Sequence, residues 1–97
     1  MGSTGPQRRE VHYSGRVQGV GFRYTTQQIA RGFDVTGFVQ NLSDGRVCIV
    51  VEASPDEIQR FLTEVHCRLG EYIREVKVAE LAASGEFVRF SIRHGAV

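Results

Sequence analysis

Apolar residues recur along the chain in two rhythms, one of period two and one near 3.6, and the changes of rhythm mark out the elements. Val11 and Tyr13 alternate with polar neighbours over residues 9–15, which predicts a first strand. Phe22, Thr26, Ile29, Ala30 and Phe33 then share one face of a helix, with Arg23, Gln27, Gln28 and Arg31 mostly off it, and Gly32 and Asp34 mark its end. Residues 35–41 return to period two, with Val35, Gly37, Val39 and Asn41 on one side. Asp44-Gly45 is a turn signal, and residues 46–52, with Val47, Ile49 and Val51 alternating, form the returning strand of a hairpin. Ser54-Pro55-Asp56-Glu57 supplies an N-cap, a proline at the first helical position and a capping-box acid. The second helix presents Ile58, Phe61, Leu62, Val65 and Leu69 on one face and stops near Gly70. Strands over residues 73–81 and 87–93 complete the pattern.

The order is βαββαβ with an extra short C-terminal strand. Two crossover helices and an antiparallel hairpin predict an α+β, ferredoxin-like sandwich, an antiparallel sheet with both helices on one face. At 97 residues and 41% hydrophobic composition there is room for one core. The expected domain is 9–97. Residues 1–8 include Gly2, Ser3, Thr4, Gly5 and Pro6, the composition of a flexible tail.

Charge and cysteine content narrow the setting. Twelve basic and eleven acidic side chains leave a net charge of +1, which argues against a nucleic-acid or membrane surface, so any positive potential is local. Cys48 and Cys67 are the two cysteines, and no secretory-type apolar run precedes them; free thiols in a reducing, cytoplasmic compartment are expected. His12, His66 and His94 are scattered without zinc spacing, and no metal or cofactor is called for. A domain of this size with well-marked helix caps is expected to stand as a monomer.

The candidate chemistry lies at the first strand-to-helix junction, Gly15-Arg16-Val17-Gln18-Gly19-Val20-Gly21-Phe22-Arg23. Glycines allow close backbone approach to a ligand, and a helix start leaves N–H groups without intrahelical partners. Together they form an anion cup, to which Arg23 adds a charged, bidentate fork. The third glycine of a dinucleotide fingerprint is missing after Gly19-Val20-Gly21, and no Gly-Lys-Ser/Thr follows. On local grounds alone the same stretch is equally an ordinary Gly-rich turn beside a surface arginine, and Asn41 is a hairpin cap.

Two stretches change that balance. The loop from Gly15 to Arg23, and Gly37-Phe38-Val39-Gln40-Asn41 followed by Gly45-Arg46-Val47, resemble the acylphosphatase family in sequence, order and separation, over about residues 9–94. The resemblance implies a catalytic arginine at Arg23, a catalytic asparagine at Asn41, and a phosphate-binding loop at Gly15, Arg16, Val17, Gln18, Gly19, Val20 and Gly21, running into Phe22. It implies small acyl phosphates as substrates, with inorganic phosphate as product and inhibitor. Ala53 stands where the family pattern often has glycine, and His94 where it has an aromatic residue.

Such a reaction suits these side chains. An acyl phosphate expels a carboxylate whose conjugate acid has a pKa of about 4 to 5, so the leaving group needs no proton. Arg23 is permanently charged and Asn41 does not titrate, and neither can act as a general acid. What is required is charge stabilisation on the phosphoryl oxygens and a water held in line. Tyr24, Thr25 and Thr26 are read as surface or helix-packing residues, not nucleophiles. The alternatives are a non-catalytic domain that binds acyl or carbamoyl phosphate and an RNA-recognition module. Arg31-Gly32-Phe33 resembles the opening of the latter's aromatic motif, but Asp34 breaks the pattern and the segment sits at a helix end.

Overall fold

The computed structural model describes residues 5–95. Its elements are β1 (Gln7–Gly15), α1 (Phe22–Ala30), β2 (Thr36–Asn41), β3 (Val47–Ala53), α2 (Pro55–Leu69), a 3-10 turn (Gly70–Tyr72), β4 (Ile73–Ala82) and β5 (Phe90–Arg93). The sheet order is β4-β1-β3-β2-β5. β1 pairs antiparallel with both β3 and β4, and β2 pairs antiparallel with β3. β5 runs parallel to β2, so the sheet is mixed where a purely antiparallel one was expected. A strand that follows β4 and joins the far edge must cross the sheet, and that crossing sets its direction.

The helix-bearing face holds the core. Val11 and Tyr13 of β1, Val39 of β2, and Val47, Ile49 and Val51 of β3 are buried against Phe22 and Ile29 of α1 and Ile58, Phe61, Leu62, Val65 and Leu69 of α2. These are the positions marked by the two rhythms. The opposite face carries side-chain contacts of its own around Phe38. Phe87 meets Phe38 edge-on with ring centroids 5.8 Å apart, and the Arg93 guanidinium lies 3.7 Å from the Phe38 ring centre.

Three further expectations are corrected. Gln7 and Arg8 belong to β1 and not to a tail, because each pairs on both sides, Gln7 with Ala53 and Ala82 and Arg8 with Glu52 and Leu81. Residues 1–4 and 96–97 of the expected tail and domain lie outside the described residues. The last strand begins at Phe90, not at residue 87. Finally, Ser54 caps α2 by accepting from the Glu57 N–H at 3.3 Å, but the Glu57 carboxylate does not return to the cap. It accepts instead from the Asp34 N–H at 2.8 Å, which fastens the start of α2 to the turn after α1.

The connection from β4 to β5 is held by a buried ion pair. Glu52, 5% exposed, accepts from Arg8 Nε at 2.8 Å, from the Ser84 N–H and hydroxyl at 2.9 Å each, and from the Gly85 N–H at 3.0 Å. Arg8 completes its fork on Ser84 Oγ and Glu86. Burial opposes ionisation of Glu52, but these donors outweigh it and hold the carboxyl down at about 2. This clamp leads the chain across the sheet and delivers β5 beside β2.

Candidate active site

The loop leaves β1 at Gly15, whose φ of 130° and lack of a side chain are both required, since a Cβ there would collide with the Tyr72 carbonyl. Arg16 N–H then donates to Tyr72 O at 2.9 Å. Val17 is fully buried and roots the loop in the core. Gly19 and Gly21 both take φ of 80°, with open space where a Cβ would stand. Gly21 is the residue at the head of α1, in the left-handed conformation, and among the described residues no side chain caps the helix. No acidic residue occupies the first turn. The first intrahelical bond runs from Thr25 N–H to Gly21 O, which leaves the N–H groups of Phe22, Arg23 and Tyr24 without helical partners.

Those residues line a cavity of about 190 Å³, together with Val17, Gly19, Gly21, Asn41, Ile92 and His94. Arg23 and Asn41, far apart in sequence, therefore face one space. Asn41 is the last residue of β2, placed there by a tight hairpin closure: Leu42 N–H donates to Arg46 O at 2.8 Å, Gly45 N–H donates to Leu42 O at 3.1 Å, and Asp44 accepts from the Arg46 N–H and guanidinium. Among the described residues neither Arg23 nor Asn41 has its side chain engaged by another. Phe22 is fixed from behind by Tyr13, whose ring centroid is 5.2 Å away and whose hydroxyl lies 2.9 Å from His66 Nε2. Burial pushes the Tyr13 phenol up and the His66 ring down, so this contact holds a neutral phenol and a neutral imidazole.

Gly15, Arg16, Gln18 and Val20 are not among the residues lining the cavity, although all lie in the expected loop. Gly15 and Arg16 anchor its entry, Val20 packs on the core, and Gln18 points to the β2–β3 hairpin. Three wall residues escaped the reading of the sequence. Tyr24 is 62% exposed yet borders the cavity. Ile92 and His94 come from the far end of the chain. The parallel register of Val39 with Ile92 and Gln40 with Arg93 carries the next residue, His94, alongside Asn41, and Gln40 Nε2 donates to Gly95 O at 3.3 Å to hold that end in place. No local pattern announces a register between strands so far apart.

A larger cavity, about 460 Å³, opens beside Glu52, Ser84 and Gly85, but its polar groups already satisfy one another. Unpaired donors, not volume, distinguish the smaller one. Among the described residues no group of three or more His, Cys, Asp or Glu side chains could hold a metal ion, and no helix is long and apolar enough to cross a membrane. Cys48 is buried and Cys67 exposed, and both are free.

With this geometry in view, the family profile for acylphosphatase matches residues 9–92. The chain belongs to the acylphosphatase family. An acylphosphatase of Syntrophobacter fumaroxidans is 44% identical over 92% of this chain and 93% of its own length. The crystal structure of acylphosphatase from Bacillus subtilis superposes with a TM-score of 0.81 at 32% identity, covering 91% of this chain and 99% of that one. Full-length HypF, crystallised in a phosphate- and nucleotide-bound form, aligns with a TM-score of 0.80 and 32% identity over 93% of this chain but only 12% of its own. The family relatives thus share the fold and nearly the whole length of this acylphosphatase-family chain, and they favour acylphosphatase function over a purely binding domain.

Proposed function

We propose that the protein hydrolyses the carboxyl-phosphate bond of small acyl phosphates without a metal ion, releasing a carboxylate and inorganic phosphate. One observation carries this reading: Arg23 and Asn41 meet in a single cavity at the uncapped head of α1. The phosphoryl group is seated by the N–H groups at the loop and helix start and by the Arg23 fork, which concentrate positive potential on its oxygens. Asn41, with an acceptor and two donors, holds the attacking water in line and meets a phosphoryl oxygen. Water attacks phosphorus as the bond to the acyl oxygen breaks. Its electron pair leaves on the carboxylate, and a phosphoryl oxygen takes the water's proton. A leaving group with a conjugate-acid pKa of about 4 to 5 needs no general acid, and none is required of His94 or Tyr24. Tyr24, Ile92 and His94 form the wall that receives the acyl group. Inorganic phosphate, as product, competes for the same seat.

The deciding experiment is hydrolysis of benzoyl phosphate with a chelator present, for the wild type and Asn41→Ala. Metal-independent turnover that falls by ~10² or more in the variant, with phosphate inhibition retained, supports the assignment. Near-normal turnover in Asn41→Ala removes that residue from the mechanism, and a folded wild type without turnover leaves the cavity as a phosphate-binding site. We further propose a cytoplasmic monomer, a reading supported by the two free thiols and by the small size of the domain.

A further inference from the structure

We propose that the Gln18 side chain is a positioning residue for the hydrolysis, a latch that joins the anion loop to the Asn41 hairpin and sets the spacing between phosphoryl seat and attacking water. The inference rests on the function proposed above and adds a residue that touches neither. Gln18 Nε2 donates to Leu42 O at 2.8 Å and to Arg46 O at 3.0 Å. Both partners are carbonyls and can only accept, which assigns the amide orientation: the NH₂ end faces the hairpin and spends both hydrogens there.

The location gives the latch its consequence. Leu42 follows Asn41 directly, and Leu42 and Arg46 close the hairpin on each other. On the loop side, Gln18 stands between the rooted Val17 and the two glycines at 19 and 21, which carry no side chain to restrain them. Among the described residues the backbone bonds of the loop are at its ends, Arg16 N–H to Tyr72 O and Thr25 N–H to Gly21 O. Among the described residues, Gln18 supplies the side-chain link from the middle of the loop to the strand end that bears Asn41. The seat and the water holder are otherwise on separate elements, and in-line attack loses rate steeply when such groups drift by ~0.5–1 Å.

The test is a double-mutant cycle with Gln18→Met and Asn41→Ala, read by benzoyl phosphate turnover and by inhibition with inorganic phosphate. Methionine keeps length and neutrality and removes both donors. Gln18→Met is expected to lower kcat by ~10-fold while phosphate inhibition shifts less than ~2-fold, and to cost less than ~2-fold further in the Asn41→Ala background. Equal kcat losses in both backgrounds, parallel loss of phosphate inhibition, or no loss at all would each overturn the latch. If Asn41→Ala alone turns over normally, the proposed mechanism fails first and the latch with it, an outcome visible in the single variant.

Discussion

The two ends of β1 carry polar groups of opposite kinds. At one end Arg8, Glu52, Ser84, Gly85 and Glu86 saturate each other with hydrogen bonds. At the other, roughly 23 Å away along the strand, the head of α1 is uncapped among the described residues, and Arg23 and Asn41 face a cavity with their side chains unengaged by them. Both ends hold an arginine and backbone N–H donors. The difference is the carboxylate: the clamp has its anion built in as Glu52, whereas the first turn of α1 carries none, and under the proposed function the loop takes its anion from solution. A protein-borne anion turns such a cradle into a fastening, and an external one turns it into a binding site.

That contrast can be broken deliberately. The largest effect is expected from Arg23→Lys, which keeps the charge and loses the fork. Turnover should fall by ~10²–10³ and phosphate inhibition should weaken with it, while thermal stability is unchanged, because among the described residues no side chain is paired with Arg23. Unchanged phosphate inhibition would move the anion seat elsewhere. At the clamp the expectation inverts: Glu52→Gln should cost about 3 kcal/mol in urea unfolding and leave turnover per folded molecule within ~2-fold. A variant as stable as the wild type would show that the clamp is ornamental.

A smaller effect, confined to acid, sharpens the same point. The Glu52 pKa falls from an ordinary 4.5 to about 2 on folding, so the unfolded chain binds the proton first. The stabilisation is fully present above pH 4.5 and drains away as pH falls towards 2, and the Gln variant should lack this part of the acid slope. An identical slope in wild type and variant would assign acid sensitivity to other groups. The smallest change is predicted at Thr26, which is fully buried with no hydrogen-bond partner for Oγ1 among the described residues. Thr26→Val should stabilise by about 1 kcal/mol, read as a shift in the urea midpoint, with turnover retained. Destabilisation would reveal a partner for the hydroxyl in solution.

Much of the architecture was legible because burial imposes a period. Val11 and Tyr13, the Val47, Ile49 and Val51 alternation, and the stripes from Phe22 to Ala30 and from Ile58 to Leu69 are the core itself, and a slipped register would expose them. The strand ends were less legible. Gln7 and Arg8 read as a tail by composition, and the pairing that makes them strand comes from β3 and β4, distant in sequence. Glu57 has the local form of a capping-box acid, yet a better donor, the Asp34 N–H, is brought to it by the packing of the two helices.

The site divides in the same way. The chain by itself determined the glycine loop, because positive φ at 19 and 21 and a first helical turn without an acid are local properties of the sequence, and it determined the hairpin that ends in Asn41. Only the tertiary structure brought Arg23 and Asn41 to one cavity, walled it with Tyr24, Ile92 and His94, and turned Gln18 towards the hairpin. The physical reason is range. Backbone conformation and capping are decided within a few residues, whereas the meeting of α1, β2 and β5 depends on a crossover that the Glu52 clamp directs from the opposite end of the sheet.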